Sequence, residues 1–377
     1  MVQKRINLSY PKFTRGDISS IKSELLNINK QARSKQNIVE AFENKIATFH
    51  DVSHVVALSS GTAAIHLALI ALKIKEGDKV IVPTLTFAAT AFPISYLGAL
   101  PVFIDVDKDT WTLDLELLKR YLSSCKKTEL PKLIISVELF GKTCDYVKLF
   151  EIANNFNIPV LIDAAESLGS KYLDSYSASL GSISILSFNF NKIITTTGGG
   201  ALLTNQMKLA EIARKLSNQS RDNYHWYEHS QIGYNYRLSP VLSSLGISQF
   251  DRLETIIRKK RKIREVYSSE LDNINGVEVS GDSKWERSNA WLSTVKFDKS
   301  RFSGARDKVR DNLEKANIES RFVWKPLHMQ PVFRNLQSIL TGVSEEIFNT
   351  SLCLPSSYIL DKNEILKVCN IVKESLK

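Results

Sequence analysis

Cysteine and histidine are scarce in this sequence and form no metal-binding pattern. The four cysteines, Cys125, Cys144, Cys353 and Cys369, have no Cys-x-x-Cys spacing, and the six histidines are equally scattered. That distribution excludes a zinc cluster and a disulfide framework, so no metal is expected. An apolar run of about 18 residues, the length needed to cross a bilayer, is also missing. Met1-Val2-Gln3-Lys4-Arg5 leads into no apolar signal core, so the expectation is a soluble, cytoplasmic protein with no membrane partner. Internal repeats and low-complexity segments are absent as well. With 43% hydrophobic and 24% charged residues over 377 positions, the composition is that of a globular protein rather than a fibrous or disordered one.

Positive charge is in excess, at +10 net, and is densest at Arg258-Lys259-Lys260-Arg261-Lys262 with Arg264. This run lies within a helical apolar pattern that extends from Leu242 to Leu271. Its charges are therefore expected to face solvent, and no nucleic-acid partner is expected. A positive field would instead attract an anionic small substrate.

From His54 to Thr204, short Val/Ile/Leu-rich runs alternate with helical patterns. Strands are expected at 54–58, 79–82, 101–105, 133–137, 159–163 and 183–188, and helices at 63–74 and 146–157. Near-continuous apolar strands in βα alternation imply an α/β fold, with a mainly parallel sheet covered by helices on both faces. Ser239-Pro240 is expected to cap and open a long linking helix. Beyond it, strands at 276–279 and 290–295 and helices at 305–316 and 364–376 suggest a smaller α+β unit. The expected division is 1–250 for the N-terminal segment and large domain, and 251–377 for the linker helix and small domain.

Chemically distinctive residues cluster at the expected strand ends. Ser59-Ser60-Gly61-Thr62 follows the first strand and starts a helix, where free N–H groups and the hydroxyls of Ser60 and Thr62 would form an anion cup. The same segment also reads as an ordinary capped turn. Asp163 ends an apolar strand, where a carboxylate with little water around it needs a positive partner such as a protonated pyridine nitrogen. Its other reading is a cap for Ala164-Ala165-Glu166-Ser167. Phe87 follows a strand end and could stack on a planar ring or pack in the core. Lys192 lies between an apolar strand and Gly198-Gly199-Gly200, a setting suited to Schiff-base formation with a carbonyl cofactor. Arg237, in Gly233-Tyr234-Asn235-Tyr236-Arg237, could hold phosphate or carboxylate through its planar fork. Each feature alone is weak. Together they supply the groups that pyridoxal 5'-phosphate requires.

On these residues the chain resembles the sugar-nucleotide aminotransferases of the DegT/DnrJ/StrS family, nearly end to end. The resemblance implies an aspartate aminotransferase-like fold. It also implies that Lys192 forms the internal Schiff base, Asp163 pairs with the pyridinium nitrogen and Phe87 stacks on the ring. Gly61, Thr62 and Ser187 would hold the phosphate and Glu166 would lie near the ring. Asn235 would reach the phosphate bound by a neighbouring subunit, so the implied assembly is a homodimer with shared active sites. Thr197-Gly198-Gly199-Gly200 replaces the family's frequent Gly-Glu-Gly-Gly, and no acidic role is carried over there.

The window from Ile318 to Pro331 is similar to the branch that aminates UDP-4-keto-6-deoxy-N-acetylglucosamine for bacillosamine-type sugars, except that Phe322 replaces the usual proline. On that resemblance L-glutamate is the expected donor, a nucleotide sugar is the acceptor, and Trp324, Lys325 and His328 contact the substrate. The rivals are a GDP- or dTDP-linked keto-sugar aminotransferase, a sugar dehydratase using the same cofactor, and a non-catalytic regulatory homologue.

Overall fold

The structure is a computed structural model that describes residues 5–29 and 37–377. Met1 to Lys4 of the N-terminal pentapeptide lie outside the described residues. An eight-stranded sheet runs in the order His54–Leu58, Gly200–Thr204, Ile183–Ser187, Val160–Asp163, Leu133–Val137, Lys79–Pro83, Leu100–Ile104, Ser338–Ile339. Ladders are parallel from Ile183–Ser187 to Ser338–Ile339. Gly200–Thr204 is antiparallel to both of its neighbours.

Side-chain alternation divides the core into two layers. Val55, Ala57, Ile81, Ile134 and Ile162 join one apolar cluster, while Val56, Leu58, Val80, Ile135 and Leu161 join another. Both faces of the sheet are therefore covered, which is why its strands read as unbroken apolar runs. Phe42 and Ile46 of helix Ile38–His50 pack on the first face. Helix Gly61–Ala71 packs on the second, with nine of its eleven residues buried. A helix that is apolar all round belongs in a core, and each fully buried leucine there, such as Leu67, stabilises by about 1.5–3 kcal/mol.

A second, antiparallel sheet has the order Val277–Val279, Ser293–Phe297, Ser351–Leu354, Arg321–Phe322. Val295, Leu352 and Leu354 of this sheet share a third apolar cluster with Tyr267, Val309, Val368 and Val372 from helices Leu253–Leu271, Ala305–Lys315 and Lys362–Ser375.

The structure corrects three local expectations. The linking helix is two helices, Pro240–Phe250 and Leu253–Leu271. The break lies where the Arg252 guanidinium meets buried Asp17 at 2.6 Å and Lys45 meets Asp251 at 2.5 Å. Ser239 makes no side-chain cap, so the fixed φ of Pro240 carries that start. Lys260, within the basic run, is buried rather than solvent-facing, and donates to the carbonyls of Trp291 (3.0 Å) and Ser356 (2.7 Å). No helix among the described residues is long and apolar enough to cross a membrane.

Candidate active site

The carboxyl ends of the parallel strands open into a cavity of about 740 Å3, lined in part by Ser60, Gly61, Thr62, Phe87, Thr90, Asp163, Glu166, Ser187, Lys192, Trp291, Arg321 and Trp324. Open α/β sheets bind ligands at this edge.

At one end lies the turn into helix Gly61–Ala71. Ser60 Oγ caps the helix by accepting from the Ala63 N–H at 3.0 Å, which leaves the Ser60 hydroxyl proton free to donate. Gly200 is paired with Leu58 on one side and Ser187 on the other. A Cβ at position 200 would lie 2.5 Å from Gly61 N and 2.5 Å from the Ser60 carbonyl carbon. The antiparallel strand thus brings bare backbone against the turn, and a side chain there would fill the cradle. Exposed helix N–H groups with hydroxyls from Ser60, Thr62 and Ser187 form a donor set for a phosphate.

Asp163 is buried across the cavity floor. Its Oδ2 accepts from Thr90 Oγ1 at 2.7 Å and its Oδ1 from the Ala165 N–H at 3.2 Å. Burial pushes its carboxyl pKa up, against the lowering effects of these two donors and of Lys192. A carboxylate destabilised in this way is matched by a protonated ring nitrogen. Phe87 remains 52% exposed at the cavity and packs against Trp324, ring centroids 5.1 Å apart. An exposed aromatic face is available for stacking on a planar ring.

Lys192 follows the turn in which its N–H bonds to the Asn189 carbonyl at 3.0 Å. Its ammonium lies 4.0 Å from the centroid of the Trp291 ring and 3.6 Å from Glu166 Oε1. Trp291 is held by bonds from Nε1 to the Asn191 carbonyl and from its backbone N–H to Asn289 Oδ1, both 2.9 Å. Glu166 is buried; desolvation raises its pKa, while Lys192 and the Phe140 N–H, 2.7 Å from Oε2, oppose the rise. The lysine amine therefore sits between an aromatic face and a carboxylate. The cup, the cradle at Gly200, the buried carboxylate, the exposed ring face and the amine together fit pyridoxal phosphate.

Not every residue expected at the site reaches this cavity. His328 is engaged elsewhere, with Nδ1 2.7 Å from Thr84 Oγ1 and Nε2 3.1 Å from Glu345 Oε1. Lys325 is exposed outside the lining. Arg237 lines a separate cleft beside Glu43 and Arg214, because its backbone bridges Leu58 at the sheet's edge. Asn235 is exposed and bridges Asn218, away from the cavity of its own chain. Trp324 does line the cavity.

Sequence reasoning missed Thr90, Trp291, Glu319, Arg321 and the segment Asn7 to Tyr10, all of which join the lining. Thr90 was within reach, three residues beyond Phe87. Trp291 carries no local signal, since its partner is about a hundred residues away in the chain.

A covered, mainly parallel sheet with an anion cup, a buried carboxylate and a lysine at its carboxyl edge defines a transaminase-type enzyme of the aspartate aminotransferase fold. The chain belongs to the DegT/DnrJ/EryC1/StrS aminotransferase family, whose model matches residues 20–373. It is 40% identical over 340 residues to EpsN of Bacillus subtilis (strain 168), provisionally named a pyridoxal phosphate-dependent aminotransferase, covering 89% of this chain and 87% of that one. It is 34% identical over 341 residues to the GDP-perosamine synthase of Escherichia coli O157:H7, covering 90% and 91%. Among solved structures, a family aminotransferase from Brucella abortus superposes with a TM-score of 0.87 at 27% identity over 95% of each chain. The provisionally titled sugar aminotransferase Spr1654 from Streptococcus pneumoniae, in its PLP form, reaches 0.89 at 25% identity over 99% of each.

Proposed function

We propose that this protein moves an amino group from L-glutamate to the C4 ketone of a nucleotide-linked 4-keto-6-deoxy sugar, with UDP-4-keto-6-deoxy-N-acetylglucosamine as the acceptor, for surface glycan synthesis. The observation that carries the reading is Lys192 and Asp163 facing one cavity that also holds the Ser60-Gly61-Thr62 cup. Family membership and the names of the relatives make the reaction an amino transfer onto a sugar. The 318–331 window supports the UDP-linked acceptor.

A bound pyridoxal phosphate supplies a carbonyl that exchanges amino groups and a pyridinium ring that takes up electron density. Lys192 would hold it through Nζ. Gly61, Thr62 and Ser187 would orient its phosphate, and Phe87 would cover one ring face and exclude water. Asp163, held by Thr90 and the Ala165 N–H, would keep a proton on the ring nitrogen. The Lys192 amine would take the proton from the donor's α-carbon and pass it to the cofactor in the first stage, and in the second would take it back and give it to the sugar's C4. Glu166, 3.6 Å from Nζ, orients that amine.

Purified protein with the cofactor is expected to show a visible absorbance band that L-glutamate bleaches and that Lys192→Ala abolishes. A band unaffected by the Lys192 substitution would refute the reading. A GDP-linked acceptor is the second reading, favoured by the perosamine synthase relatives. Incubating the glutamate-treated enzyme with UDP- and GDP-linked 4-keto sugars, and following recovery of the band, separates the two.

A further inference from the structure

Two cations, Lys192 and Arg321, contribute to the cavity wall among the described residues, against three carboxylates, Asp163, Glu166 and Glu319. Both substrates proposed above are anions: the donor is a dicarboxylate and the acceptor carries a diphosphate. With Lys192 committed to the cofactor, one cation from this chain remains for them. Arg321 lies in the short strand Arg321–Phe322, where the smaller sheet meets the cavity.

Its guanidinium is turned toward Glu319, with Nε 2.9 Å and Nη2 2.8 Å from the same oxygen, Oε1. Glu319 Oε2 accepts from the Leu8 N–H at 3.0 Å, so the carboxylate is fixed between the arginine and the N-terminal segment. Nη1 has no hydrogen-bond partner among the described residues. The Arg321 side chain is 60% exposed and Glu319 21%, so the pair is open to solvent on the arginine side. An exposed ion pair of this kind contributes little to stability, and a ligand carboxylate or phosphate can meet the open N–H groups in a bidentate arrangement.

We propose that Arg321 is the anion-recognition residue used in turn by the two substrates, binding a donor carboxylate in the first stage and the acceptor's phosphate in the second, with Glu319 as its fixed counter-anion. This inference rests on the two-stage transfer proposed above. It also explains how one cavity with so few cations serves two different anions: they occupy it at separate times and share one planar fork.

The test uses the cofactor-loaded enzyme and the Arg321→Gln variant. Retention of the cofactor band shows that the variant is folded with its cofactor site intact. The glutamate concentration for half-maximal bleaching is expected to rise about tenfold, more than the limiting rate falls, and the affinity for UDP as a dead-end ligand to drop by a similar factor. Arg321→Lys should recover part of each, because it restores the charge without the fork. Glu319→Gln, which removes the competing anion, should tighten UDP binding. Unchanged glutamate and UDP dependence in Arg321→Gln overturns the proposal, as does a change confined to one ligand, which would restrict Arg321 to that anion. If the wild-type band fails to respond to any amino acid, the functional reading itself fails, and that outcome is distinct from a responsive wild type with an equally responsive variant.

Discussion

Asp163 was legible in the sequence because a carboxylate at the end of an apolar strand needs a positive partner or several donors. The residues that let it remain there were not, since Thr90 approaches from a different strand-to-helix connection. Its burial gives a testable conflict between stability and function. An acid whose folded pKa is raised releases its proton more readily when unfolded. From the ordinary aspartate value of about 3.9 upward, the unfolded state therefore gains relative to the folded one until the folded carboxyl also ionises. Asp163→Asn removes that penalty. Its amide can donate to Thr90 Oγ1, which can turn its own proton to Thr86 Oγ1 at 3.0 Å. The cofactor-free variant is expected to unfold at pH 8 no earlier than wild type and to lose less stability, or gain more, as pH rises from about 4 to 8. Its kcat should fall by at least about 100-fold, because the ring nitrogen loses its charged partner. Thermal unfolding at the two pH values and steady-state assays check both outcomes.

At the level of elements, the parallel strands and the helix after Ser60 follow from composition and spacing, since apolar runs bounded by turn residues have one reasonable reading. Strand Gly200–Thr204 does not. The same residues would fit a loop after Lys192, and its antiparallel pairing depends on neighbours distant in sequence, His54–Leu58 foremost. That pairing gives Gly200 its role. Because a Cβ there would collide with the backbone of Ser60 and Gly61 rather than with a movable side chain, the turn must shift to accommodate it. Gly200→Ala is expected to destabilise the fold by roughly 2 kcal/mol and to weaken cofactor binding at least tenfold through displacement of the cup. Ser60→Ala, which removes the cap to Ala63 and one hydroxyl of the phosphate donor set but displaces no backbone, should cost about 1 kcal/mol and weaken cofactor binding less than Gly200→Ala does. Titrating cofactor-free protein with pyridoxal phosphate while following absorbance distinguishes a displaced backbone from a lost cap. Similar weakening in the two variants would argue against the cradle.

At the scale of the whole molecule, a single chain leaves part of the expected site unassembled. Asn235, which the family resemblance assigns to a phosphate contact, is exposed outside its own cavity. It follows a stretch with a large exposed apolar surface, including Trp226, Tyr227 at 78% and Ile232 at 86% exposure. Chain continuity could not reveal this, because sequence patterns report which face of an element is buried but not against which molecule. Apolar side chains of this size in open water are the usual mark of a protein contact. A closed two-fold dimer would cover them twice and place the partner subunit's Asn235 at each cup. Mixing two inactive variants tests this arrangement directly. Lys192→Ala removes the amine, and Asn235→Asp sets a negative charge against the phosphate. In a hybrid dimer one site collects both defects and the other collects neither. Random reassortment makes half the dimers hybrid, so co-expression should restore about a quarter of wild-type activity. Sites built within one chain would give no activity above the sum of the two parents.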